Sequence, residues 1–242
     1  MTSATWTSTL GLMLAGCATT TPGSRPHDMS AAQHEEHAQT HATAAEQHAA
    51  QYDAGAAETR ERCRSGVKGA PKDICWTSVV NPTEAHLREA EEHRRHAADH
   101  RAGSAALREA EARACVGLNA DDRDGSPFEH VNDIAGVEPL IEKSGTPKAP
   151  AQRTVGATVT FRAVPGMTAE WLQRLVDCHL ARNASLGHVV PEMPNCPLVP
   201  KGAEARVTST GNGLAVAIRS DDPTTAREVL SRAERLRSTP SK

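Results

Sequence analysis

The chain has few aromatic residues and few large aliphatic ones. It contains three Trp, one Tyr and two Phe, and Leu, Ile, Val and Phe together number 37 of its 242 residues. Such a low fraction is typical of disordered proteins, but a formal net charge of −3 gives little of the charge repulsion that keeps those chains unfolded. Lys and Arg do not outnumber Asp and Glu, 27 against 30, so nucleic-acid binding is not expected. The sequence also has no C-x-x-C pair, which argues against a thioredoxin-like motif or a zinc ribbon.

What the sequence has instead is alanine. Of 40 alanines, 26 lie in the first 120 residues, whereas the second half is richer in Val, Pro and Gly. We therefore expect an α+β protein whose halves differ: a His-rich antiparallel helical hairpin over residues 29–117, a connecting segment over 118–151, and a small βαββα domain over 152–242.

The N-terminus has the pattern of an export signal. Residues 1–16 carry no acidic side chain, and their apolar run is too short to span a bilayer. The four residues Leu14-Ala15-Gly16-Cys17 match the lipobox, so the chain resembles a bacterial lipoprotein, with residues 17–28 as a tether. This resemblance implies that residues 1–16 are a signal peptide and that Cys17 is lipidated and anchors the protein to a membrane. Ala18 in place of an acidic residue implies an outer-membrane lipoprotein that faces the periplasm.

The remaining five cysteines fit an oxidising compartment, where disulfides are the usual outcome. Proximity in sequence favours a Cys63–Cys75 and a Cys178–Cys196 disulfide, with Cys115 left as a spare thiol. Connectivity cannot be deduced from spacing alone, so other pairings stay open.

Two long helices are expected in the N-terminal half. Residues 29–64 lack proline and consist mostly of good helix formers. After a break over residues 65–80, Asn81 has the position of an N-cap and Pro82 that of the first helical residue, with the second helix extending to about Cys115.

A repeated histidine pattern is the main chemical signal. Both helices contain H-x6-H-x2-H-x3-H, and each histidine of the second copy has a sequence number higher by 59 than its counterpart in the first. The histidines are His27, His34, His37 and His41 in the first copy, and His86, His93, His96 and His100 in the second. At about 100° per residue, the four histidines of each copy lie within one stripe about 80° wide, where spacings of three and four place imidazoles on adjacent turns.

Such a stripe allows two interpretations. Imidazoles at these spacings can chelate Zn²⁺, Cu²⁺ or Ni²⁺, with Glu35, Glu36 or Asp99 adding an oxygen ligand or orienting a ring. Alternatively, the histidines are solvated, or the two stripes face each other and neutral rings form hydrogen bonds across the seam, which acid would then open.

The length of the expected turn sets the register of the hairpin. If Arg64 and Pro82 flank it, residue i lies opposite residue 146 − i. This register predicts a three-histidine site of His48, His96 and His100, while residues 34–41 lie near residues 105–112. The candidate metal ligands are His34, His37, His41, His48, His93, His96 and His100.

The C-terminal half shows alternating and helical hydrophobic patterns in the order βαββα. Strands are expected over about 155–163, 205–210 and 214–218, and helices over about 168–186 and from Pro223 onward. These elements predict a three-stranded sheet covered on one face by two helices, similar to a ferredoxin-like fold without its last strand. Near the first of these helices, Cys178, His179, His188, Met193 and Cys196 could bind Cu(I), although a structural disulfide and a core histidine explain them more simply.

The sequence contains no arrangement of residues that indicates an enzyme. The favoured interpretation is a non-enzymatic cell-envelope lipoprotein that binds or sequesters a transition metal, zinc or copper. Two alternatives remain: a structural lipoprotein that docks an envelope protein or a second copy of itself, and a thiol-dependent redox protein.

Overall fold

The computed structural model describes residues 29–64, 74–146 and 149–238. The predicted signal peptide over residues 1–16, the predicted lipidation site Cys17, the predicted tether over residues 17–28 and His27 all lie outside these residues. Within the described part of the chain, the fold is α+β, with a helical hairpin that packs against a mixed sheet and helix region.

The hairpin is built from α1 (Ala31–Gln51) and α2 (Glu84–Ala114). Ser30 caps α1 in a capping box with Gln33, since each side chain accepts a hydrogen bond from the backbone of the other. The prediction that the first helix continues to Arg64 is wrong, because the chain leaves the helix at Tyr52 in an extended conformation. The second helix begins at Glu84, and Asn81 instead accepts hydrogen bonds from Thr83 within the preceding turn.

A two-stranded arm connects the two helices. Strands β1 (Glu58–Arg64) and β2 (Ile74–Val80) pair antiparallel, and Cys63 lies opposite Cys75. The predicted Cys63–Cys75 disulfide is confirmed. Most described side chains of the arm are exposed, including Trp76 and Val79. Residues 65–73, most of the predicted break, lie outside the described residues.

Beyond α2 come the short helix α3 (Ala120–Asp124), β3 (Ile134–Thr146) and β4 (Ala149–Arg162). Next are α4 (Ala169–Ser185), β5 (Glu204–Thr210), β6 (Gly213–Arg219) and α5 (Pro223–Ser238). The predicted βαββα elements are present from β4 onward.

The sheet has four strands instead of three, in the order β3-β4-β6-β5, and all neighbours are antiparallel. The extra strand is β3, so the segment 118–151 is part of the sheet and not merely a connection. Strands β4 and β5 run parallel with β6 between them, which makes the β4-α4-β5 crossover a split one.

The core lies between one face of this sheet and the helices. Alternate residues of β4 and β6 point into it and are packed against α4 and α5. They are Ala157, Val159, Phe161, Leu214, Val216 and Ile218. At Gly156, whose φ is +151°, an added Cβ would lie 1.9 Å from the carbonyl oxygen of Ile218. Only glycine allows this close approach of β4 to β6.

Three contacts fasten the hairpin to the sheet region. A disulfide joins Cys115, at the end of α2, to Cys178 in α4. One turn further along α4, Arg182 forms an ion pair with Glu111 at 3.1 Å. Gly187, just after α4, lies so close to Ser30 that a Cβ on the glycine would be 2.9 Å from that of the serine. The start of α1 and the end of α2 therefore both lie against α4.

Candidate metal site

The two helices meet along a seam in which small residues alternate with histidines. In α1 the seam residues are Ala31, His34, Ala38, His41, Ala45 and His48, and in α2 they are His86, Ala90, His93, Ala97, His100, Ser104 and Leu107. Their spacings alternate between three and four residues, as in a coiled coil. The five seam alanines are at most 4% exposed, so their small side chains let the backbones approach closely and bring histidines from the two helices into contact.

Three pairs of histidines bridge the helices through their Nδ1 atoms. These atoms are 3.1 Å apart in His34–His100, 3.0 Å in His41–His93 and 3.3 Å in His48–His86. In each pair one neutral ring can donate a hydrogen bond and the other can accept it. The two stripes therefore face each other.

The predicted register of the hairpin is wrong. Each bridging pair has residue numbers that add up to 134, whereas the predicted pairs would add up to 146. The cause is the early end of α1, since the β1–β2 arm takes up residues that were expected to extend the helix. His48 consequently does not join His96 and His100, and residues 34–41 do not lie near residues 105–112.

Two groups along the seam have the geometry for a metal ion. In the first, the ligand nitrogens of His41, His93 and His96 all lie within 4.8 Å of one another. In the second, the ligand atoms of His48, His86 and Glu89 do so, and Glu89 Oε2 is 2.9 Å from His48 Nδ1. Each group takes one ligand from α1 and two from α2.

A third group on the arm is not a metal site of this kind. The ligand atoms of Glu61, Cys63 and Cys75 also lie within 4.8 Å of one another. The two sulfurs are bonded to each other, however, so neither is the thiolate that a metal requires.

Sequence reasoning missed the carboxylate ligand. Glu35, Glu36 and Asp99 were expected to assist, yet the structure groups none of them with the histidines and brings in Glu89 instead. The two groups are one heptad apart along the seam. Seven residues further along α1, His41 becomes His48, and seven residues back along α2, His93 becomes His86 and His96 becomes Glu89. That relation could have been read from the sequence once the heptad was recognised.

The remaining predicted ligands lie beside the first group. His34 is completely buried and pairs with His100, while the exposed His37 has its ring centroid 5.2 Å from that of His100. The rings of His41 and His100 are stacked at 5.6 Å. The structure therefore brings six histidines into one cluster, which we call the six-histidine cluster: His34, His37, His41, His93, His96 and His100.

Burial and neighbouring rings disfavour the charged forms of two of these histidines, His41 and His100. Burial lowers the pKa of His41, and the neighbouring His96, His93 and His37 lower it further. Burial is also the largest cause of the lowered pKa of His100, followed by His34, His37, His41 and His96. His41 and His100 therefore favour the neutral imidazole, which is also the form that binds metal.

Gly103 makes room for His34, the most buried histidine of the cluster. A Cβ at this position would lie 2.8 Å from Cε1 and 3.0 Å from Nδ1 of His34. We therefore expect Gly103→Ala to lower the free energy of unfolding by about 1 kcal/mol, because overpacking outweighs the gain in helix propensity.

In a His34→Ala background the same substitution should instead stabilise by up to about 1 kcal/mol, since the obstructing ring is gone. Urea denaturation of the four proteins of this cycle measures both effects. The same sign in both backgrounds would contradict the packing of His34 on Gly103.

The second predicted disulfide is wrong. Cys178 pairs with Cys115 and leaves Cys196 as the free cysteine. Cys178 lies on α4, which packs against the end of α2, whereas Cys196 belongs to the core of the sheet region. His179 is a core histidine whose Nε2 lies 3.2 Å from the carbonyl oxygen of Asp122. The oxidised Cys178 cannot supply a thiolate to the soft ligand set considered for Cu(I), and the other cysteine of that set, Cys196, is a thiol buried in the core.

Cys196 should be unreactive in the folded protein. Its side chain is 3% exposed, and burial raises the pKa of its thiol. Reactivity requires an accessible thiolate. We expect iodoacetamide to label the peptide that contains Cys196 only after denaturation, as measured by peptide mass spectrometry. Labelling of that peptide at equal rates before and after addition of urea would contradict its burial.

Comparisons with protein-family profiles, with curated proteins and with solved structures found no match to this chain. Among the described residues, no helix combines the length and the apolar character needed to cross a bilayer.

Proposed function

We propose that the chain is a lipid-anchored, non-enzymatic protein of the bacterial cell envelope that binds a transition metal ion between its two long helices. The observation that carries this proposal is the grouping of His41, His93 and His96, with ligand nitrogens within 4.8 Å of one another.

The geometry of the seam suits a tetrahedral ion. With Zn–N bonds of about 2.0–2.1 Å, two ligand nitrogens on one tetrahedron are about 3.3 Å apart. The observed Nδ1–Nδ1 separations of 3.0 to 3.3 Å are close to that value, so an ion could replace the shared proton after only a small adjustment. Imidazole ligands favour Zn²⁺, Cu²⁺ or Ni²⁺ over Ca²⁺ and Mg²⁺. Zinc and copper are the ions we propose.

The cellular setting rests on the N-terminal residues. The Leu14–Cys17 lipobox resemblance supports cleavage after residue 16 and a lipid on Cys17, which would hold the protein at the outer membrane facing the periplasm. Two disulfides, Cys63–Cys75 and Cys115–Cys178, support an oxidising compartment. The membrane is thus the one partner we propose, and a Cys17→Ser variant should leave the membrane fraction.

The second candidate function is a structural or interaction lipoprotein without a metal. It is favoured by the histidine pairs themselves, because each can form a hydrogen bond across the seam without an ion. In that case the exposed arm with Trp76 and Val79 would contact an envelope protein or a second copy of the chain. The thiol-dependent redox function has weaker support, since its free thiol at Cys196 is buried.

Calorimetric titration of the full chain in detergent with Zn²⁺ separates the two candidates. At about pH 7.5 we expect a dissociation constant below about 10 μM, which corresponds to a binding free energy of about −7 kcal/mol or more negative. His93→Ala should remove or weaken this binding, and His130→Ala, which changes a histidine far more exposed than the seam, is the matched control. Binding weaker than that limit, or binding that His93→Ala leaves unchanged, would refute the metal site and favour the structural function.

A further inference from the structure

The histidine repeat in the sequence is also a repeat in space. Adding 59 to the numbers of the buried small residues of α1 gives buried small residues of α2: Ala31 becomes Ala90, Ala38 becomes Ala97 and Ala45 becomes Ser104. Two antiparallel helices with equivalent seams are related by a twofold axis perpendicular to them. The hairpin therefore has an internal pseudo-twofold axis.

The histidine contacts obey the same relation. The shift converts the His34–His100 pair, at 3.1 Å, into the His93–His41 pair, at 3.0 Å. It also converts the ring contact of His37 with His100, at 5.2 Å, into that of His96 with His41, at 5.1 Å. The stack of His41 on His100 is converted into itself, so the axis passes between these two rings.

We propose that the six-histidine cluster holds two metal ions, one in the His41, His93 and His96 group and one in its symmetry mate. The symmetry mate consists of His34, His37 and His100. This inference rests on the proposed function and adds to it a second site and a stoichiometry. Both sites have three imidazoles and would therefore take the same class of borderline divalent ion.

The second site needs one side-chain rotation. Its two inner ligands already face each other through Nδ1, whereas the His37 ring lies nearly parallel to that of His100, with an interplanar angle of 22°. In the first site the equivalent angle, between His96 and His41, is 72°. Because His37 is exposed, its ring can turn toward the pair without displacing packed side chains.

His34 is the most deeply buried residue of the proposed second site. The residue is 0% exposed, and its Nε2 has no hydrogen-bond partner among the residues that the structure describes. Burying an imidazole with a single hydrogen bond is unfavourable. An ion bound through Nδ1 would leave the proton on Nε2, so the unpartnered nitrogen is not itself the ligand; the second site rests on the twofold relation and on the contact of His34 with His100 through Nδ1.

The His48, His86 and Glu89 group has no symmetry mate within the described residues. The shift converts His48 into Leu107, which cannot bind a metal, and His86 corresponds to His27 outside the described part. An ion bound at this group would add one to the total number of ions, but substitutions in the six-histidine cluster would not remove it. The test therefore uses differences between variants.

The test is Zn²⁺ titration of the full chain in detergent, comparing His37→Ala with its symmetry counterpart His96→Ala. Neither residue is fully buried, so neither change leaves a cavity in the core. The quantity compared is the number of Zn²⁺ ions that bind with a dissociation constant below about 10 μM. Each single substitution should lower this number by one, and the double variant should lower it by two. His34→Ala should match His37→Ala, and His130→Ala should match the unaltered chain.

The outcomes distinguish this proposal from the one it rests on. If His96→Ala loses one ion but His37→Ala and His34→Ala lose none, the second site is refuted and the metal-binding function stands. If either single substitution abolishes both ions, the cluster is one indivisible site and the stoichiometry is refuted. If the unaltered chain binds no Zn²⁺, both proposals fail.

Discussion

Replacing Cys115 and Cys178 together by serine should lower the free energy of unfolding by about 4 kcal/mol, the value that the loop-entropy relation gives for their separation in sequence. The two cysteines are 63 residues apart. The bond also fastens the end of α2 to α4, beside the Arg182–Glu111 ion pair. Urea denaturation followed by far-UV circular dichroism measures the loss.

The Cys63–Cys75 disulfide is the matched control. It closes a loop of only 12 residues within an arm whose side chains are mostly exposed. The loop-entropy relation gives about 3 kcal/mol for a loop of this length, but the arm should open locally once the bond is removed, seen as faster amide exchange in β1 and β2. The folded chain then regains most of that entropy, so the free energy of global unfolding should change by less than about 1 kcal/mol. Equal global losses for the two double variants would contradict the separate roles assigned to the two bonds.

The local parts of the fold could be predicted from the sequence. The helical hairpin, the histidine stripe on each helix, the order of elements from β4 to α5 and the Cys63–Cys75 disulfide all depend on short-range patterns. The register of the hairpin depends on where α1 ends. Residues 58–64 are rich in Glu and Arg, which are good helix formers, yet they pair as a strand with residues 74–80, most of which are β-branched. Tertiary pairing outweighed helix propensity there, and the predicted contacts between the two helices shifted along the seam as a result.

Long-range contacts could not be predicted in the same way. Strand β3 was missed because Gly136 and Pro139 interrupt its apolar alternation, and its partner β4 supplies the pairing. Cys115 and Cys178 meet only because α2 packs on α4, and proximity in sequence favoured the wrong partner. The histidines of the site could be identified from the sequence, but which of them lie together depends on the register between α1 and α2.

Acid should open the metal-free hairpin. The pKa values of both His41 and His100 are lowered in the folded protein, mainly by burial and then by neighbouring imidazoles. In the unfolded chain histidine has a pKa of about 6.5. Below that pH the unfolded chain therefore binds more protons than the folded one. Stability is therefore complete above about pH 6.5 and is lost as the pH falls below that value toward the folded pKa values.

The loss should be steep because more than one group contributes. Each group that is protonated only in the unfolded state can contribute at most about 1.4 kcal/mol per pH unit. Protonated rings would also repel one another across pairs that are only 3.0 to 3.1 Å apart. At the other end of the seam, Glu89 places a carboxylate 2.9 Å from His48 where the six-histidine cluster has only imidazoles, so the cluster should open first.

Urea denaturation between about pH 5 and 7.5, in the presence of a chelator, measures this dependence. His100→Asn keeps a polar side chain that does not titrate and should flatten the curve, whereas His130→Ala should leave it unchanged. A curve that His100→Asn leaves as steep as before would mean that the acid sensitivity arises outside the seam, and the neutral histidine pairs would then not be what holds the two helices together.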